Sequence, residues 1–217
     1  MTENRRPLKT RNRRWPHLLA AALVKTGLTP NGASVVGIGF AAAAGWLLAF
    51  YPHSPWALFL AALGIQLRLL CNLLDGLMAV ECGAGSRTGP LFNEAPDRIE
   101  DAFILIGAGC GAGQPWLGLL AAWLAANTAY IRVLGGSLGL PQDFAGWGAK
   151  PRRMFFVSLA CLVAAALLLF HHPRPVLLWG LWLVTGLTAL TLVGRTVRLH
   201  NRLKAQPPTG VPEPRKS

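Results

Sequence analysis

Residues 69–105, "LLCNLLDGLMAVECGAGSRTGPLFNEAPDRIEDAFIL", break an otherwise apolar chain with Asp75, Glu81, Glu94, Asp97, Glu100 and Asp101. These are six of the nine acidic residues in a 217-residue protein of formal net charge +12. Around them lie apolar runs long enough to cross a bilayer, about 18 residues or more. We read six such runs, at 32–51, 55–79, 97–113, 115–135, 153–171 and 175–194. The chain is 53% hydrophobic and only 14% charged, its mean hydropathy is +0.40, and no strand-like alternation of useful length appears. The sequence therefore predicts an all-α integral membrane protein with six transmembrane helices. The run at 97–113 is the weakest, since charged residues fill its first turns. Its glycines, "GAGCGAG" at 107–113, suit close helix packing in lipid.

The basic excess then reads as topology. Seven Lys and Arg residues precede the first run, from Arg5 to Lys25, and six follow the last, from Arg195 to Lys216. Lys150, Arg152 and Arg153 precede the fifth. The opposite loops carry only Arg174. Positive-inside bias places both termini and the 80–96 and 137–152 loops in the cytoplasm. No basic face interleaved with aromatics argues for nucleic acid, and anionic lipid headgroups account for the charge. "HLLAAALV" (17–24) follows a basic N-terminus but lacks a cleavage site, which favours an N-terminal interfacial helix over a signal peptide. The membrane domain covers 1–204, and the Pro-rich 205–217 is expected to be a disordered tail. Cys71, Cys82, Cys110 and Cys161 show no paired spacing, and neither they nor the scattered histidines suggest a metal site.

Ionisable groups at membrane depth are expensive and default to function. Asn72 and Asp75 are three residues apart, on one face near the cytoplasmic end of the second run. Asn93, Asp97 and Asp101 are spaced by four and share a face at the start of the third, with Glu94 at its edge. A short Gly- and Ser-rich loop joins the two helices, which makes them antiparallel neighbours with converging oxygen ligands. Such carboxylates repel unless a cation neutralises them, and hard oxygen donors select Mg²⁺, Mn²⁺ or Ca²⁺. Gly76 beside Asp75 lets a phosphate or nucleotide approach the helix. A solvated helix-turn-helix explains Glu81, Glu100 and arguably Asp101, but not Asp75 within "CNLLDGLMAV". The matching basic groups are Lys150, Arg152 and Arg153, with Arg132 as a second candidate needing a partner such as Asp101 or a phosphate.

The stretch resembles the signature of the CDP-alcohol phosphatidyltransferase family, D-x2-D-G-x2-A-R-x8-G-x3-D-x3-D. Asn72, Asp75, Gly76, Ala79, Val80, Gly89, Asn93 and Asp97 stand at its eight fixed places, with every spacing kept. "TPN" at 29–31 is similar to the family's usual opening, and six spans with cytoplasmic termini is its architecture. "YIRVLGGSLGLPQDF" followed by "AKPRRM" resembles a bacterial subset carrying the same Asn-for-Asp pattern.

The resemblance implies a phosphotransferase that moves a phosphatidyl group from a CDP-linked donor, CDP-diacylglycerol, to an alcohol and releases CMP. It implies Asp97 as general base and a Mg²⁺ or Mn²⁺ site on Asn72, Asp75, Asn93 and Asp97. Glu94 is placed by its spacing to restore one of the charges that the asparagines omit. Gly76, Ala79 and Gly89 would line the cytidine pocket. Lys150, Arg152, Arg153 and Arg132 would meet substrate phosphate, and the family implies a homodimer among membrane lipids. The acceptor alcohol is left open. Two other readings are a degenerate, non-catalytic relative, suggested by Asn72, Asn93 and Val80, and a cation transporter. Transport is disfavoured because the acids cluster at one surface rather than at the midplane.

Overall fold

The computed structural model describes residues 14–205 except 82, 84–86 and 172–174. The expected tail, apart from Ala205, lies outside the described residues, as do Cys82 and Arg174. The described residues form seven helices: α1 (Arg14–Lys25), α2 (Pro30–Phe50), α3 (Pro55–Glu81), α4 (Gly89–Gly111), α5 (Pro115–Ser137), α6 (Lys150–Leu169) and α7 (Val176–Lys204). No strand occurs among the described residues.

Five of the helices, α2, α3, α5, α6 and α7, are long and apolar enough to cross a membrane. The sixth expected run differs in one respect. It is the C-terminal part of α4, which begins at Gly89 rather than near residue 97. The first half of α4 carries Glu94, Asp97, Arg98, Glu100 and Asp101, which keeps it from qualifying on apolarity. The helix forms there because Pro90 suits its first turn and the polar residues turn inward onto partners.

Local signals set the starts of the helices. Thr29 caps α2, its Oγ1 accepting from Gly32 N at 3.0 Å, and Pro30 follows at the first turn. That gives "TPN" a physical role as an N-cap. α1 packs on α3 through Ala20, which is buried with Leu74, Leu77 and Met78, while Trp15 and Leu18 stay exposed.

One arrangement corrects the sequence reading. α3 and α4 are not close-packed neighbours along their length: α2 packs extensively on both, and α3 meets α4 over a small area only. Glycines allow the α2–α4 approach. A Cβ on Gly107 would lie 2.6 Å from Gly45 Cα, and one on Gly109 would lie 2.7 Å from Gly118 Cα of α5. The expected close-packing role of the 107–113 glycines holds for these two and for Gly111, where a Cβ would run into Leu48 O; Gly113 has nothing within 4 Å of the place a Cβ would take. The apolar core, with Leu48, Leu58, Ile65, Leu105, Leu117 and Met154 at its centre, occupies the half of the bundle away from the acidic residues. The helix ends bearing those residues are left to build a polar site.

Candidate active site

The polar site forms where α3 and α4 meet, with α2 and the start of α6 beside them. Asn72 Nδ2 donates to Asp97 Oδ1 and to Glu100 Oε2, at 3.0 Å each. The two predicted ligand faces thus converge through the Asn72 amide. Asp75, one turn further along α3 and 5% exposed, accepts from Ser34 Oγ of α2 at 2.6 Å on Oδ2. Its Oδ1 is buried without a hydrogen-bond partner.

Lys150, the first residue of α6, donates from Nζ to Asp97 Oδ1. Arg153, one turn later and buried, donates to Asp101 Oδ2 and to Gly148 O, the latter at 2.8 Å. These two residues, expected to meet substrate phosphate, each lie on a carboxylate of the acidic face. Arg152 does not: it is exposed and lies over the Trp147 ring, 4.4 Å from its centroid.

Three further placements differ from the sequence reading. Glu100 and Asp101, assigned largely to solvent, are 0% and 6% exposed. Arg132, expected to need a partner such as Asp101 or a phosphate, pairs with Glu94, whose two oxygens each lie 2.7 Å from its Nη2. Glu94, which also pairs with Arg98, is therefore drawn toward α5 rather than to Asp97. Asn93 is exposed on the surface of α4, as is Val80 on α3. Gly76, Ala79 and Gly89 are partly buried.

The residue that sequence reasoning missed is Arg68. It is 0% exposed, one turn before Asn72 on α3. Its Nε donates to Glu100 Oε2 at 2.5 Å and its Nη2 to Asp101 Oδ1 at 2.6 Å. The same Nη2 reaches the Asp97 carbonyl at 3.3 Å. Its signal was available: a lone Arg in an apolar helix, four residues before a candidate ligand, must have acidic partners.

A second basic region adjoins the first. A cleft between α5, α7 and the 138–149 segment is lined by Arg132, Leu140, Asp143, Arg195, Leu199 and Arg202, among others. Asp143 holds the segment to α7 by accepting from Arg198 Nε at 2.6 Å. Burial alone would raise the Asp143 carboxyl, but this bond and the Ala145 N–H hold it below the usual carboxylate range. Arg195 ties the same segment to α5, donating to Ala145 O at 3.1 Å and to Thr128 O of α5 at 2.7 Å.

No cluster of three or more His, Cys, Asp or Glu residues suited to a metal occurs among the described residues. The set still fits a hard divalent cation on one observation. A buried carboxylate oxygen without a hydrogen bond is costly, and Asp75 Oδ1 offers such a cation the oxygen it prefers.

No family model matches the chain. It is 30% identical over 190 residues to the phosphatidylinositol phosphate synthase of Streptomyces avermitilis, covering 83% of this chain and 76% of that protein. It is 25% identical over 190 residues to the archaetidylinositol phosphate synthase of Pyrococcus horikoshii, covering 86% and 91%. Its fold is similar to the crystal structure of the Mycobacterium tuberculosis phosphatidylinositol phosphate synthase with CDP-DAG bound. The TM-score there is 0.72 at 26% identity, over 86% of this chain and 94% of that one. The structure of the same enzyme with manganese and citrate gives 0.71 at 25% identity, over 85% and 88%.

Proposed function

The chain belongs to the CDP-alcohol phosphatidyltransferase family, and we propose that its polar cluster on α3, α4 and α6 is the active site. It is a phosphotransferase that transfers a phosphatidyl group from CDP-diacylglycerol to an alcohol in phospholipid synthesis. The observation that carries the site assignment is the convergence of Asn72, Asp97 and Lys150 in one cluster. Asp75 adjoins them at its motif spacing.

In the reaction the acceptor hydroxyl oxygen attacks the phosphorus that bears diacylglycerol. The bond from that phosphorus to the bridging oxygen breaks, and CMP leaves with the electron pair. Asp97 takes the acceptor's proton. Lys150 and Asn72 hold Asp97 Oδ1, so Oδ2 is the oxygen for that proton. Asp75 and Asp97 would hold a Mg²⁺ or Mn²⁺ ion, with Asn72 steadying Asp97 through its amide N–H, while Asn93 and Glu94 lie outside that set. That ion would neutralise the donor's pyrophosphate. Gly76, Ala79 and Gly89 leave room for the nucleotide.

The acceptor is a phosphorylated polyol of the inositol phosphate class. The relatives' names support this, and Arg132, Arg195 and Arg202 near the cluster supply guanidinium groups suited to phosphate. α4 makes the sixth span, its charges sheltered in the bundle. With both termini cytoplasmic, the site faces the cytoplasm of a bacterial cell, and the protein works as a homodimer.

The test is CMP release by purified protein given CDP-diacylglycerol, a divalent cation and a panel of inositol phosphate, inositol, glycerol phosphate and serine. Asp97→Asn should lower release by about 10²–10⁴-fold while leaving the protein folded. Full activity in that variant would remove Asp97 as the base. No CMP with any acceptor would remove the acceptor class.

A further inference from the structure

We propose that the site takes one divalent cation rather than a pair, with the Lys150 ammonium and the Asn72 amide supplying the positive character of a second ion. This rests on the reading of the cluster as a metal-dependent active site. The charges decide it. Asp75, Asp97, Glu100 and Asp101 face Arg68, Lys150 and Arg153, four negative charges against three positive. Glu100 and Asp101 are spent on Arg68 and Arg153, and Asp97 on Lys150. Only Asp75 lacks a cationic partner among the described residues, with Ser34 on one oxygen and no partner on the other.

A pair of divalent ions close together needs carboxylates that bridge or flank both. Here Asp97 Oδ1 already accepts from Lys150 Nζ and from Asn72 Nδ2. An ion bridging at that oxygen would have to displace an ammonium and turn an amide N–H away. Asn72 is oriented the opposite way from a metal ligand. Its nitrogen faces the acids, while its Oδ1 lies on the Gly37 side, 3.7 Å from where a Cβ of Gly37 would stand. Asn93, exposed and uncharged, adds no carboxylate. Before any donor binds, one ion at Asp75 leaves the cluster with a single positive charge. Two would leave three positive charges in a largely buried site, where unscreened like charge is most costly.

The experiment titrates Mn²⁺ into the detergent-purified full chain and counts bound ions by electron paramagnetic resonance and elemental analysis. The wild type should bind one Mn²⁺ per chain, with the spectrum of an isolated ion. Lys150→Gln, which removes a competing cation, should bind that ion about tenfold more tightly. Asn72→Asp/Lys150→Gln should take up a second ion and show spin coupling. A coupled pair in the wild type, or unchanged Mn²⁺ affinity in Lys150→Gln, would overturn the proposal but keep the metal site. No Mn²⁺ bound to the wild type would overturn both.

Discussion

Arg68 and Glu100 form a fully buried ion pair between α3 and α4, Nε to Oε2 at 2.5 Å, with neither side chain exposed. Arg68 extends the pair to Asp101, which Arg153 meets from α6, so three helices are joined by one chain of charges. Removing one member of a buried pair strands the other at a cost of about 3–5 kcal/mol. Arg68→Met should therefore lower thermal stability in detergent sharply. Arg68→Met/Glu100→Leu should recover part of the loss, and Asp101 should account for the remainder. If Arg68→Met melts with the wild type, the pair contributes nothing to the fold.

Backbone approach gives a second expectation. The Cβ of Gly107→Ala would sit against the Gly45 backbone, which cannot swing aside as a side-chain tip can. The loss should reach the upper end of the roughly 1–3 kcal/mol that overpacking costs. Gly39, on the same α2, has nothing within 4 Å of the place a Cβ would take, so Gly39→Ala should be neutral or slightly stabilising. Comparing melting temperatures of the two variants checks this. Equal effects would show that α2 and α4 are not in the contact described.

The outline of the bundle and the convergence of Asn72 with Asp97 were legible in the sequence, because helical periodicity and apolar run length are local properties. The partners were not. An Arg inside an apolar run showed that Arg132 needed a partner such as Asp101 or a phosphate, but Asp101 and Glu94 both lie on α4. Which of them faces α5 depends on the rotation of α4 about its axis, and that is set by Gly45 and Gly107 packing. Glu100 and Asp101 looked solvated because α4 begins in a polar stretch. They are buried because Arg68, from a helix that reads as purely apolar, turns toward them. The insertion of α2 between α3 and α4 is a tertiary choice that a short connecting loop does not reveal.

Glu94 sets how much positive charge Arg132 shows to the neighbouring cleft. Both Glu94 oxygens lie on Arg132 Nη2, and Gln142 Oε1 accepts from Nη1 at 2.5 Å. Losing a charge-assisted hydrogen bond costs about 1.5–3 kcal/mol. If Arg132 contacts acceptor phosphate, Arg132→Ala should raise KM for inositol phosphate about 10- to 100-fold. Glu94→Gln should lower that KM while leaving KM for CDP-diacylglycerol unchanged. Steady-state CMP release against acceptor concentration measures both. A rise in donor KM alone in Arg132→Ala would move this residue to the donor side.

The two asparagines should behave differently when converted to aspartate, because the structure places them in different surroundings. Asn72 donates to Asp97 and Glu100, at 3.0 Å each, whereas Asn93 is exposed. Asn72→Asp replaces two hydrogen bonds with two like-charge contacts beside a buried carboxylate, and Glu100 has no spare donor on its Oε1. At an effective dielectric of about 20, unit charges 4 Å apart interact by about 4 kcal/mol, part of which Lys150 offsets. A net loss of about 2–3 kcal/mol should lower the melting temperature by about 5–10 °C in EDTA. Mn²⁺ should restore much of it, since a cation is what an added carboxylate there lacks. Asn93→Asp should stay within about 0.5 kcal/mol of the wild type, with or without metal. Thermal unfolding of both variants in EDTA and in excess Mn²⁺ separates the cases. If Asn72→Asp is as stable as the wild type in EDTA, the amide does not bridge the two acids. If Asn93→Asp shows the metal-dependent loss instead, the charge-sensitive position is on α4 rather than α3.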